Sequence, residues 1–173
     1  MKVITKIGGG GISDVYLVTD DKEKYAFKTL NHFKSSDKVA QAYLKNEYDI
    51  LLRIHHENII KCIDWIMING REGILMEFFE GVKLSGLSKS KLTDSLFIEI
   101  EQTIIYINEM LPPIFHNDIT EKNILIGFNE EIRIIDFSMS YSESLDSQFL
   151  NQRNDLTTDI KQFKILKTKY LKT

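Results

Sequence analysis

At 173 residues the chain has the length of about one domain, and a globule of that size buries roughly 70% of its unfolded surface, enough for its own core. Apolar residues at 43% and charged residues at 27% exclude a disordered chain, and 22 basic against 25 acidic side chains, net charge −3, exclude the basic excess of a dedicated nucleic-acid binder. A single cysteine, Cys62, excludes an intrachain disulfide and a cysteine-built metal cluster, and suits a reducing compartment.

Met1-Lys2-Val3-Ile4-Thr5 opens in strand-like alternation without a signal-peptide block, and no apolar run reaches the ~18 residues of a membrane span. Val15–Val18 and Tyr25–Lys28 are β-rich runs around a polar turn at Asp20-Asp21-Lys22, a hairpin pattern. Ser36 or Asp37 caps a helix with apolar residues at Ala40, Tyr43, Leu44, Ile50, Leu51 and Ile54. Ile59–Ile68 and Ile74–Phe79 flank Asn69-Gly70, a two-residue turn signal between strands. The period then lengthens. Thr93 or Asp94 caps a helix running through Leu96, Ile100, Ile104, Ile107 and Leu111, stopped by Pro112-Pro113. Two short strands, Ile124–Ile126 and Ile132–Ile135, turn at Asn129-Glu130. A polar loop covers Ser138–Asn154, and a last helix places Leu156, Ile160, Phe163, Leu166 and Tyr170 on one side. The order, β-rich then α-rich, predicts a two-lobed α+β layout.

Three constellations carry chemistry. The first is Ile7-Gly8-Gly9-Gly10-Gly11-Ile12-Ser13-Asp14-Val15, in which glycines between two strands let backbone N–H groups approach phosphate oxygens or simply form a flexible turn. A Rossmann turn is disfavoured because a strand follows, not a helix. The second is Lys28 with Glu47. Lys28 shares a strand face with Ala26, and Glu47 lies on the apolar stripe of its helix, four residues from both Tyr43 and Leu51. A carboxylate there costs several kcal/mol unless paired. Lys28 is a fitting partner, able to reach nucleotide phosphates, and the alternative is a partly exposed surface glutamate. The third is His116-Asn117-Asp118-Ile119-Thr120-Glu121-Lys122-Asn123-Ile124-Leu125, followed by Asp136-Phe137-Ser138. Strand, turn and strand bring Asp118, Asn123 and Asp136 together. Asn123 and Asp136 then suit Mg²⁺ and Asp118 suits a proton acceptor, unless these are capping and turn residues.

Five motifs in this order make the sequence resemble the eukaryotic-type protein kinase superfamily from Ile7 to about Tyr170. The resemblance implies a single kinase-like domain over 1–173, with a β-rich N-lobe of about 1–79 containing one helix and a reduced helical C-lobe of about 80–173. It implies that Gly8, Gly10 and Val15, with Ile7, lie over ATP, that Ala26 roofs the adenine and Leu125 floors it. Met76 takes the gatekeeper position, and Glu77-Phe78-Phe79 forms the hinge whose backbone binds adenine. Lys28 and Glu47 form an ion pair, Asp118 acts as catalytic base, Asn123 and Asp136 bind magnesium, and Asp159 braces the catalytic loop. ATP and Mg²⁺ are the implied cofactors.

The sequence departs from the family at several points. Asn117 replaces an arginine that usually pairs with an activation-loop phosphate, so activation by that route is not expected. Thr120 stands where a lysine is usual; Lys122 either reaches the transferred phosphate in its stead or faces solvent. Ser138 replaces the glycine of Asp-Phe-Gly. Only 37 residues follow Asp136, with no Ala-Pro-Glu. The resemblance therefore points to minimal kinases: the atypical kinase of the KEOPS tRNA-modification complex, or the truncated kinases that bacteria inject into hosts. The leading expectation is a Ser/Thr protein kinase acting on a protein substrate in the cytoplasm, or in a host cytosol if secreted. The alternatives are a KEOPS-type ATPase working with an activating protein partner and a pseudokinase binding module. Nucleic acid enters only within a tRNA-modification-like complex, and no membrane partner is expected. Lys161, Lys164, Lys167, Lys169 and Lys172 either solvate a helix or meet an anionic partner. Ser138, Ser140, Ser142, Ser144 and Ser147 mark a solvated loop or autophosphorylation sites. His55-His56 is a turn after the helix, not a metal site.

Overall fold

The computed structural model describes residues 1–88, 92–142 and 158–171. These fall into two compact units, Met1–Arg53 with Ile60–Phe78, and Ile54–Ile59 with Phe79–Thr173.

The first unit is a five-stranded antiparallel sheet in the order β1-β2-β3-β5-β4, with β1 Lys2–Gly9, β2 Ser13–Thr19, β3 Lys24–Leu30, β4 Cys62–Ile68 and β5 Arg71–Glu77. Strand alternation gives the sheet two faces. Val18, Phe27, Ile68 and Leu75 pack together on one, flanked by Val3, Tyr16, Tyr25 and Ile66. The other carries Ala26, Lys28, Ile74 and Met76, all buried. Helix α1, Lys38–Leu51, is capped by Asp37, whose carboxylate accepts from the N–H groups of Val39 and Ala40. Its buried residues are Ala40, Leu44, Glu47, Ile50 and Leu51. Asn69 and Gly70 turn β4 into β5 with φ of 51° and 75°, the double left-handed turn that matches strand twist.

Cys62 sits half-buried in β4. Burial, with the charges of Asp64 and Glu47, pushes its thiol up to about 11. The thiolate that attacks electrophiles is therefore scarce at neutral pH. Native protein is expected to react with iodoacetamide at pH 8 more slowly than the urea-unfolded chain, as thiol titration checks. The folded pKa lies above the unfolded one, so this group's contribution to stability is complete below about pH 8.5 and is lost as pH rises towards 11.

In the second unit, β6 Gly81–Lys83, β8 Ile124–Gly127 and β9 Ile132–Ile134 form a sheet ordered β6-β8-β9. The ring of Phe79 enters beside it where Gly81 and Gly127 present no Cβ; one built at either would lie within 2.6–2.9 Å of that ring. Arg133 covers the ring at 4.7 Å. Helix α2, Asp94–Asn108, is capped by Thr93 and buries Leu96, Phe97, Ile100, Ile104 and Ile107. Helix α3, Thr158–Leu171, places buried Phe163 6.4 Å from Phe97. Each such fully buried side chain contributes about 1.5–3 kcal/mol. Strand β7, Ile114–Phe115, pairs with β10, Tyr141–Ser142.

Several expected boundaries move. Ile59 lies outside the strand expected to start there, because Asn58 and Ile59 bond to β9: the Ile134 N–H donates to the Asn58 carbonyl at 2.8 Å. Ile54 lies beyond α1, and Leu111, 96% exposed, lies beyond α2. The α2 backbone ends at Asn108, whose side chain turns to the Ile114 carbonyl at 2.9 Å. Strands β6, β7 and β10 are too short to show a period, and Leu156, Ser144, Ser147 and Lys172 lie outside the described residues.

Candidate active site

Register places the first unit's site residues in a row. Gly8 pairs with Val15, Val15 with Lys28, and Lys28 with Ile74; one step along, Ala26 pairs with Met76. Lys28 Nζ lies 2.8 Å from Glu47 Oε1 and 2.6 Å from Oε2, with both residues at most 4% exposed. The alternative of a surface glutamate is therefore excluded. β3 continues past Lys28 to Leu30, farther than the alternation suggested. Ile7 is exposed on β1. The Glu77 N–H donates to the Lys61 carbonyl at 3.0 Å, and the Glu77 carboxylate accepts from the Lys61 N–H at 2.9 Å.

The glycine run forms the β1–β2 turn, closed by the Gly10 N–H on the Ser13 carbonyl at 2.8 Å. Asn31 Nδ2 reaches across to the Gly11 carbonyl at 3.0 Å. No glycine of this turn has a positive φ, and a Cβ on Gly10 or Gly11 would meet nothing within 4 Å. Neither conformation nor internal packing calls for glycine there, which leaves open space beside the Gly11 amide. Lys6 pairs with Asp14 at 2.6 Å on the sheet's opposite face.

The second unit builds its site on a buried carboxylate. Asp159 of α3 is fully buried and accepts from the N–H groups of His116 and Asn117, each at 2.8 Å, and from Asn108 Nδ2 at 3.0 Å. Gln162, one turn on, accepts from the Ile119 N–H and donates to the Asn117 carbonyl. These bonds hold Asn117 in the left-handed region at φ 67°, which asparagine enters more readily than most side chains. His116, fully buried on the Phe137 ring at 4.5 Å, accepts the Asp118 N–H at Nδ1. That pattern assigns its proton to Nε2, facing the Ile135 carbonyl at 3.0 Å. Asp159→Ala is expected to cost about 3 kcal/mol, because it strands buried donors; urea unfolding measures this.

The loop so held brings the predicted residues together. Asn123 Nδ2 donates to Asp118 Oδ2 at 2.7 Å and to the Asp118 carbonyl at 2.9 Å, and the Asn123 carbonyl accepts the Ile135 N–H. Asp136 follows directly, at φ 65° and ψ 69°. Leu125 is half-buried in β8, and Lys122 is exposed with no hydrogen bond or ion pair among the described residues. Asn117 Nδ2 donates to the Met139 carbonyl at 3.0 Å, so the position without the arginine tethers the downstream segment directly. Of the tail lysines, Lys167 and Lys169 pair with Glu101 and Glu121.

Sequence reasoning gave no role to Gln162 or Asn108, and read Ser138 as a replacement for glycine in a solvated loop or as an autophosphorylation site, whereas its hydroxyl donates to Asp136 Oδ1. Gln162 carried a signal, its one-turn spacing from Asp159 on α3; Asn108 carried none, being 51 residues from the carboxylate it meets.

A β-rich unit with a buried lysine–glutamate pair, then a helical unit with a braced aspartate–asparagine loop, defines an α+β protein of the kinase-like class. The protein kinase domain, as a family, matches residues 1–159. The chain is 30% identical over 146 residues to the probable serine/threonine-protein kinase YbdM of Bacillus subtilis (strain 168), covering 80% of this chain and 57% of that protein. It is 34% identical over 151 residues to the putative leucine-rich repeat receptor-like serine/threonine-protein kinase At2g19230 of Arabidopsis thaliana, covering 81% and 17%. Against serine/threonine-protein kinase tousled-like 1 of Homo sapiens the identity is 30% over 150 residues, covering 78% and 20%. The chain thus spans less than two thirds of each of these relatives. It belongs to the protein kinase domain family.

Proposed function

We propose that the chain is a Mg-ATP-dependent protein serine/threonine kinase with Asp118 as catalytic base. The observation that carries this reading is the Asp118–Asn123 pair, bonded at 2.7 Å on a loop held by a buried carboxylate, with the Asn123 carbonyl accepting the N–H of Ile135, the residue before Asp136. An aspartate so placed accepts the proton of an attacking hydroxyl. The family affiliation supports the reading, because relatives carry serine/threonine kinase names.

The residues present fit the cofactors. Among the described residues no group of three His, Cys, Asp or Glu side chains could hold a metal. A cation here would draw on the Asn123 amide oxygen and the Asp136 carboxylate, with substrate phosphates and water completing its shell, as Mg²⁺ prefers. Bound Mg²⁺ supplies charge neutralisation for the phosphates. Lys28, held by Glu47, offers an ammonium to the α- and β-phosphates, and the open space beside Gly10 and Gly11 admits phosphate oxygens to the Gly11 N–H, the Gly10 N–H being taken by the Ser13 carbonyl. In the first unit the side chains of Ala26, Met76, Val15 and Ile7 would offer apolar surface to adenine and the Glu77 backbone a polar contact; in the second unit the reading assigns Leu125 and the Phe79 backbone to the same ligand. Lys122, exposed two residues from Thr120, is free to reach a transferred phosphate. The acceptor is a protein hydroxyl, and an activating protein partner remains compatible with this assignment. Among the described residues no helix is long and apolar enough to cross a membrane.

The test is the intact mass of the protein after incubation with Mg-ATP and a generic acceptor protein, with Asp136→Ala alongside. Additions of phosphate to either protein in the wild type alone support the reading. ATP turnover without phosphoprotein would overturn it in favour of an ATPase working within a complex.

A further inference from the structure

The Ser138 hydroxyl donates to Asp136 Oδ1 at 2.8 Å. We propose that Ser138 is a positioning residue, whose hydroxyl orients the Asp136 carboxylate for the divalent cation. This rests on the reading of Asp136 as a metal ligand.

Three features carry it. First, the residue that offers the hydroxyl is itself held. Phe137, Ser138 and Met139 form a single tight turn closed by the Ser140 N–H on the Phe137 carbonyl at 3.0 Å. Phe137 is fully buried against His116, the Met139 carbonyl takes Asn117 Nδ2, and the buried Ser140 hydroxyl donates to the His116 carbonyl at 3.3 Å. The hydroxyl therefore points from a backbone with little freedom to follow a moving carboxylate. Second, Asp136 occupies left-handed backbone at φ 65°, a region aspartate enters with its short side chain hydrogen-bonded locally, and the Ser138 hydroxyl is such a local partner. Third, the cation would find few protein ligands here, so the orientation of each matters more. A hydroxyl donating to one carboxylate oxygen restricts rotation about the Cβ–Cγ bond and steers the group toward binding through its other oxygen. No backbone demand explains residue 138: Ser138 is not among the positive-φ positions.

The experiment measures Mn²⁺ binding by electron paramagnetic resonance to the full chain saturated with a non-hydrolysable ATP analogue. Wild type, Ser138→Ala, Ser138→Gly and Ser138→Thr are compared, with affinity for the metal-free analogue measured in EDTA. Ser138→Ala and Ser138→Gly are expected to bind Mn²⁺ about tenfold more weakly, the usual cost of removing an outer-shell partner. Ser138→Thr, which keeps the hydroxyl, restores wild-type affinity, and metal-free affinity stays constant across the series. A backbone role would separate Gly from Ala; the hydroxyl role makes them alike. Mn²⁺ affinity in Ser138→Ala equal to wild type would overturn the inference while leaving the metal site standing. Wild type that binds the analogue but no Mn²⁺ would overturn the metal-ligand reading itself.

Discussion

Asp118→Ala is expected to lower phosphotransfer by about 10²–10⁴-fold, the usual contribution of a positioned proton acceptor, while Mg-ATP affinity stays at the wild-type level. The separation follows from how the loop is built. Its backbone is held from the Asp159 side, through the N–H groups of His116 and Asn117, and from Gln162, so removing the Asp118 carboxylate leaves those bonds in place. What is lost is one acceptor for Asn123 Nδ2, which retains the Asp118 carbonyl at 2.9 Å. Asp136→Ala, by contrast, is expected to weaken Mg-dependent nucleotide binding together with turnover. Calorimetric titration of ATP with and without Mg²⁺, beside single-turnover rates, separates the two. Equal binding losses in the two variants would show the roles to be wrongly divided.

Glu47→Ala is expected to cost about 3–5 kcal/mol, the penalty for taking one partner from a buried ion pair. Both Lys28 and Glu47 are at most 4% exposed, so water cannot compensate readily. Replacing both, as Lys28→Met with Glu47→Leu, removes the charges together and is expected to recover most of that stability, since apolar pairs of similar volume often match a buried ion pair. The double variant is nonetheless expected to lose nucleotide affinity, because no ammonium remains for the phosphates. Urea unfolding and nucleotide titration on the three proteins form the test. A double variant that binds ATP as wild type does would assign the pair to folding alone.

These pairs show how legibility depended on range. Ser36 or Asp37 announced α1 because a cap and its helix are neighbours, the structure choosing Asp37, and Asn69-Gly70 announced a turn because two residues contain the whole conformation. Glu47 was legible by its misfit, a carboxylate on an apolar stripe that needed a cation. Asn58 was not: read in line, Ile59 continues a strand, yet its backbone is taken by β9 some 75 residues on. Pro112-Pro113 suggested that α2 runs through Leu111, but the helix ends at Asn108, where the side chain meets the Ile114 carbonyl and Asp159.

The sequence by itself determined the order of β1–β5, β8, β9 and the three helices, the turn at Asn69-Gly70 and which residues are candidates for chemistry, because spacing and side-chain type are local quantities. Tertiary structure alone decided which donors meet Asp159, that Gln162 and Asn108 complete its brace, that Asn117 tethers the Met139 carbonyl, and that Ser138 turns its hydroxyl onto Asp136. Those contacts depend on positions and rotamers set by packing of α2, α3 and the β7–β10 pair. A buried polar group takes whichever partner that packing delivers, however distant in the chain, since leaving it unpaired costs more than the bond itself yields.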